Sequence, residues 1–292
     1  MRNLIIGGCS GYNINQIKPW VLSINEHISE CDKVLCVDKL TDQTKHWLVE
    51  QGFTLVDIPK NINLPIHVLR FFSIYDYLKD NWRKYDYVVT TDVKDVIFQA
   101  NPFPYVEKMF WLDYNLIAGS ESLKYKDEPW GDDNLKSAYG EYVYNLYKDK
   151  TIYNVGTIGG SAELVKDLIF NIFTNAINRP IFIVDQAVYN VLIQTEPFYS
   201  QIFFANQSDA WAVQAGTTAD PSKIDFFRPN LLEAEPIFED GLVKTGQNGR
   251  DCKKGTPFII VHQYDRVPEW KRHIYAKYGV EQEVVYFKYN TN

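Results

Sequence analysis

Residues 85–103 read YDYVVTTDVKDVIFQANPF, an apolar run that passes directly into two acids. The run 85–91 has the make-up of a buried strand, and Asp92 and Asp95 follow it. In an open parallel sheet, ligands bind outside the carboxyl ends of the strands. Carboxylates placed there can hold a hard divalent cation through oxygen. Such a cation can bridge a diphosphate and neutralise it as a leaving group. A lone D-x-x-D fits a helix cap plus a solvated acid better, so the surrounding sequence decides.

Outward from this stretch, strands and helices alternate. Residues 3–6 form a short apolar strand closed by Gly7, Gly8 and Gly11. Ile17, Val21, Ile24 and Ile28 recur at helical spacing. Residues 33–37 are a second strand, 41–51 a helix stopped by Gly52, 53–58 a third strand and 65–81 a helix. This rhythm predicts an α/β fold with a mostly parallel sheet flanked by helices. Beyond residue 103 the spacing predicts a strand at 116–119, a helix at 132–147 and an extended stretch at 151–159. A helix at 161–178 with Ser161 as N-cap, a helix at 185–194 and a late strand at 258–261 follow. Residues 216–257 are rich in Gly, Pro, Asp and Lys, and part of this stretch is expected to form a mobile lid ordered by donor or acceptor.

Composition limits the choices. The 292 residues suffice for a well-buried core, and no linker or repeat interrupts a single domain over 1–292. A net charge of -7 excludes a strongly basic polyanion binder, so no nucleic-acid partner is expected. No apolar run approaches the ~20 residues that cross a bilayer. The start MRNLIIGGCSG has no signal-peptide core, so a cytoplasmic protein, or one peripheral at a membrane, is expected. Cys9, Cys31, Cys36 and Cys252 show no CxxC spacing and read as reduced, partly buried thiols.

Further groups of chemistry-bearing residues lie downstream. His262 ends the late strand, where an imidazole serves as metal ligand or acid–base group. It would favour Mn²⁺ over Mg²⁺ in an otherwise oxygen-ligated site. Asn154 and Gly156 lie in IYNVGTIGG; glycine permits close backbone approach and Asn bonds sugar hydroxyls. Asp185 and Gln186 open a helix after an apolar run. Glu121 is a further candidate base. Each alone is also an ordinary structural residue.

The order of these pieces resembles the glycosyltransferase A fold, and the glycogenin-like and bacterial galactosyltransferase group called family eight in particular. That group shows D-x-D, then N-[ST]-G, then D-Q-x-x-x-N, then H-x-x-G-x-x-K-P-W. Here stand Asp92-Val93-Lys94-Asp95, Asn154-Val155-Gly156, Asp185-Gln186 with Asn190, and His262 with Pro268 and Trp270. The acid spacing departs as D-x-x-D, and the family's diphosphate-contacting Lys has no match, with Arg266 or Lys271 as alternatives. DVKDVIFQANPF is also similar to a separate set of glycosyltransferase-like proteins with D-x-[RK]-D-x-x-F-Q-x-[DN]-P-F.

The resemblance spans roughly residues 1–275 and implies a metal-dependent glycosyltransferase. Residues 1–115 would bind the nucleotide of a donor sugar, UDP-linked first, and 116–292 the acceptor, whether glycan, lipid-linked saccharide or glycoprotein. It implies Mn²⁺ or Mg²⁺ on Asp92, Asp95 and His262. Gly7, Gly8, Tyr12, Arg70 and Gly156 would face the nucleotide, with Tyr12 stacking on the base. Asp185, Gln186 and Asn154 would face the transferred sugar and acceptor, with the stereochemistry open. Two other functions stay open: a sugar nucleotidylyltransferase, whose basic glycine loop is missing before Lys18, and a non-catalytic nucleotide-sugar or glycan binder.

Overall fold

The computed structural model describes residues 2–60 and 64–281. Strand β1 (Asn3–Ser10) is followed by helix α1 (Ile14–His27). A capping box starts α1: the Asn13 side chain accepts from the Gln16 N–H, and Gln16 returns the bond to the Asn13 N–H. Then come β2 (Asp32–Asp38), α2 (Asp42–Glu50), β3 (Thr54–Asp57), α3 (Ile66–Asn81) and β4 (Tyr87–Thr91). Beyond the acid motif lie β5 (Val96–Phe98), α4 (Phe103–Trp111), β6 (Leu116–Lys124) and α5 (Pro129–Tyr147). β7 (Thr151–Ser161), α6 (Ala162–Ala176), α7 (Asp185–Ile193), β8 (Ile202–Ala205) and β9 (Ala212–Gln214) follow. Two one-turn helices, α8 (Ala215–Thr218) and α9 (Ile224–Phe227), precede a hairpin of β10 (Ile237–Glu239) and β11 (Leu242–Lys244). β12 (Ile260–His262) and α10 (Pro268–Lys277) close the described chain.

The main sheet has the order β3-β2-β1-β4-β7-β6-β8. All its pairings are parallel except those of β7, which runs antiparallel to both β4 and β6. The expected α/β architecture, a mostly parallel sheet flanked by helices, is therefore present. Alternate residues divide between two cores, as a pleated strand requires. Leu4, Ile6 and Val88 face α3, α5, α6 and α7, while Ile5 and Val89 face α1, α2 and α4. A second sheet, β5-β12-β9, packs with α10 around a third apolar cluster.

Several elements differ from the sequence expectation. β1 does not stop at Gly7 but pairs with β2 through Ser10. Neither Gly7 nor Gly8 has a positive φ; they make room for neighbours instead of a turn. β6 and β7 are both longer than expected, and β7 runs on through Gly159 and Gly160. α5 starts earlier, at Pro129, and is broken at Gly140, where φ is +75°. Ser161 stands at the N-cap position of α6, but its hydroxyl makes no capping bond.

The stretch 216–257 carries short helices and a hairpin anchored to the rest. The Thr217 hydroxyl donates to the Glu121 carbonyl, and the Leu232 N–H to that of Ser122. Gly246 and Gly249 lie against the backbone at Glu235 and Ser208, where no Cβ fits. Their role is contact, which composition alone does not distinguish from looseness.

Candidate active site

The acid motif sits at the carboxyl end of β4. Thr91, its last residue, accepts a hydrogen bond from the Trp20 indole at 2.8 Å. The Asp92 N–H then donates to the Gly156 carbonyl at 3.0 Å, tying the first acid to β7. Within D-V-K-D, Val93 turns into the core against Gly7 while Lys94 is exposed. The Asp95 carbonyl accepts from the Gln263 N–H at 2.7 Å, so the second acid is tied to the turn after β12. Both carboxylates thereby reach His262: its Nε2 lies 3.4 Å from Asp92 Oδ2 and 3.6 Å from Asp95 Oδ1.

One ligand atom from each of Asp92, Asp95 and His262 lies within 4.8 Å of the others. The donor set suits a divalent cation. His262 Nδ1 lies 2.7 Å from Gln214 Oε1, an acceptor, so Nδ1 carries the proton of that bond. Nε2 then faces two carboxylates at distances beyond a normal N–H···O bond, a placement that a cation between them completes. Gly156 closes the same space. A Cβ there would lie 2.8 Å from Asp92 Oδ2, 2.8 Å from His262 Cε1 and 2.9 Å from Asn154 Oδ1.

Arg70 joins this triad to α7. Its guanidinium pairs with Asp92 and, at 3.1 Å, with Asp185 Oδ2, and all three side chains are largely buried. Arg70 reaches this position because Gly8 has no side chain; a Cβ on Gly8 would lie 2.9 Å from Arg70 Cβ. Tyr12 is half-buried, its phenol pushed up by burial and then by the Asp95 charge.

A second group centres on Glu121. Its Oε1 accepts from Asn154 Nδ2 at 2.6 Å and from Gln186 Nε2 at 2.9 Å. Asn154 Oδ1 accepts from the Gly156 N–H at 2.7 Å, so the N-x-G turn holds its own glycine against the acids. Asn190 bonds both the N–H and the carbonyl of Tyr153, fixing α7 to β7. Burial raises the Glu121 carboxyl above its ordinary value, although both amide bonds oppose this.

The structure thus gathers Gly8, Arg70, Asp92, Asp95, Glu121, Asn154, Gly156, Asp185, Gln186 and His262 around one edge of the sheet. Gly7 underlies it through Val93. Lys271 lines a cavity of about 510 Å³ with Asn13, Gln16, Lys94, Arg272 and Tyr275. Arg266 is exposed, within electrostatic reach of Asp95. Gln214 and Thr157 carry no residue type or spacing that marks them in the sequence. They support His262 from strands far away in the chain, and no spacing rule reports such a contact. All four cysteines are free, as expected. No described helix is long and apolar enough to cross a membrane.

No protein-family model matches this sequence, and no curated protein matches it. Among solved structures, the chain is similar to the galactosyltransferase LgtC in complex with donor and acceptor sugar analogues. The TM-score is 0.49 and the identity 14%, covering 89% of this chain and 86% of that one. An active-site mutant of LgtC gives 0.49 and 13% over the same shares. The apo structure of the bifunctional glycosyltransferase WbbM gives 0.49 and 14%, covering 94% of this chain and 51% of that one. This chain therefore spans about half the length of WbbM. Values this low assign no chemistry, so the functional reading rests on the site itself.

Proposed function

We propose that this chain is a metal-dependent glycosyltransferase of the A type. It would move a sugar from a nucleotide sugar, UDP-linked first, to a hydroxyl of a glycan, lipid-linked saccharide or glycoprotein. The observation that carries this reading is the convergence of Asp92, Asp95 and His262 at the carboxyl edge of the sheet. Arg70, Asp185, Glu121 and Gln186 stand beside them.

Asp92, Asp95 and His262 would hold Mn²⁺ or Mg²⁺. Bound there, the cation supplies charge neutralisation for a departing diphosphate. Gly156, which would face the nucleotide, lets the β7 backbone come close to Asp92 and His262. Gly7 and Gly8 shape the floor of the nucleotide site, Tyr12 offers a ring face to the base, and Arg70 adds a fixed positive charge. Asp185, Gln186 and Asn154 face the sugar and acceptor. Gln186 gives an amide N–H to Glu121. Asp185 acts on the acceptor hydroxyl as a base or holds the donor sugar in line.

The test is a panel of UDP- and GDP-sugars incubated with Mn²⁺ or Mg²⁺, with nucleoside diphosphate release measured with and without candidate acceptors. Release that needs the cation and falls to background in Asp95→Ala is the expected result. Titration calorimetry on the same variant should show that cation-assisted UDP binding is lost. Pyrophosphate release from a nucleoside triphosphate and a sugar phosphate would instead identify a nucleotidylyltransferase. Tight binding of a nucleotide sugar without turnover on any acceptor would identify a binding protein.

A further inference from the structure

The imidazole of His262 is buried, and what surrounds its far nitrogen decides which nitrogen faces the acids. Gln214 ends β9 and is the direct parallel neighbour of His262 on β12, so the two side chains lie on the same face. Both are buried. Gln214 Oε1 lies 2.7 Å from His262 Nδ1. The other end of the amide is also fixed: Gln214 Nε2 donates to Thr157 Oγ1 at 3.1 Å, and Thr157 is fully buried on β7. Gly119 on β6 leaves the space for this pair. A Cβ at Gly119 would lie 3.2 Å from Thr157 Oγ1 and 3.3 Å from Gln214 Nε2. The backbone carbonyl of Gln214 is bound in turn by the hydroxyls of Thr217 and Thr218.

From this relay we infer that Gln214 is a positioning residue for the metal site, holding His262 with its proton on Nδ1 and its lone pair on Nε2 toward Asp92 and Asp95. The inference rests on the metal reading above and adds a selectivity. A fixed nitrogen ligand favours Mn²⁺, whereas Mg²⁺ draws mainly on the carboxylate oxygens. Loss of the outer partner of a ligating histidine typically weakens metal affinity by ~10–100-fold. Without Gln214 the ring is free to turn or to place its proton on Nε2, and the nitrogen ligand is lost while both carboxylates remain.

The experiment is direct binding of Mn²⁺, and of Mg²⁺ by competition, to the wild type, Gln214→Leu and Gln214→Glu. In Gln214→Leu, Mn²⁺ affinity should fall by ~10-fold or more and Mg²⁺ affinity by much less. Gln214→Glu keeps an acceptor at the same reach, to which Thr157 can donate, and should hold Mn²⁺ about as the wild type does. Unchanged Mn²⁺ affinity in Gln214→Leu, or an equal loss of both ions, overturns the assignment. A wild type that holds neither ion refutes the metal reading itself, a different and recognisable result. If Gln214→Leu does not fold, ¹⁵N spectra of His262 in the wild type decide, with Zn²⁺ as a diamagnetic stand-in. Metal on Nε2 with a proton on Nδ1 is expected; metal on Nδ1 overturns the inference.

Discussion

A methyl group on Gly156 would touch an Asp92 carboxylate oxygen, the His262 ring and the Asn154 amide at once. A residue without a side chain is thus as much part of this site as the charged ones. Asp185 is the residue whose role is easiest to separate. It is buried, opens α7 and shares Arg70 with Asp92, yet it is not part of the Asp92–Asp95–His262 cluster. Asp185→Asn keeps the shape and removes the charge. Donor binding should be retained while transfer falls by ~10²-fold or more, the size expected for loss of a general base. Misplacement of the donor sugar can cost as much, so binding and single-turnover transfer need to be measured on the same preparation. Normal turnover in a folded Asp185→Asn would remove this carboxylate from the chemistry. At this scale the sequence was informative wherever a residue type carries its own chemistry: two acids after a strand, a strand-end His, an Asp-Gln pair. Gln214 carries none until His262 stands beside it, and the two are separated by 48 positions in the chain.

β7 shows what sequence can and cannot report about an element. Its glycines read as breaks because glycine serves turns and close packing alike. In the structure Gly159 lies against the Trp211 ring, and a Cβ on Gly160 would lie 2.3 Å from the Asn115 carbonyl oxygen. These contacts bring β6 and α4 close to a strand that carries Asn154 and Gly156 to the acids. Gly160→Ala should therefore cost about 1–3 kcal/mol by overpacking. It should appear as a lower urea midpoint with an unchanged slope. An unchanged midpoint would mean that β6 can move aside freely. The parallel strands of the first half were legible because burial on both faces leaves a continuous apolar run. The stretch 216–257 was not, since its short helices and hairpin depend on contacts with β6 and the segment around Ser208.

Across the whole molecule, the site is a product of two halves that share one sheet. Arg70, Asp92 and Asp95 come from one, and Glu121, Asn154, Asp185 and His262 from the other, with β4 and β7 paired between them. The hydrogen bonds that hold these side chains together are not readable from the sequence. The buried Glu121 carries a consequence for the stability of the whole fold. Its carboxyl lies above its ordinary value of 4.5, with burial as the largest cause. Below pH 4.5 it is protonated in both folded and unfolded chains and contributes no difference. As pH rises, the unfolded chain loses this proton first, while the folded chain keeps it until its own raised value is passed. The stability associated with the protonated group is thus fully present below pH 4.5 and is lost as pH climbs through the folded value. Glu121→Gln keeps an oxygen for Asn154 and Gln186 but cannot ionise. The stability of the variant minus that of the wild type should therefore rise as pH increases above about 4.5, since other titrating groups cancel in the difference. Urea unfolding of both proteins at several pH values measures it. A difference that stays flat, or that falls as pH rises, would show that the folded chain accommodates the Glu121 charge without cost.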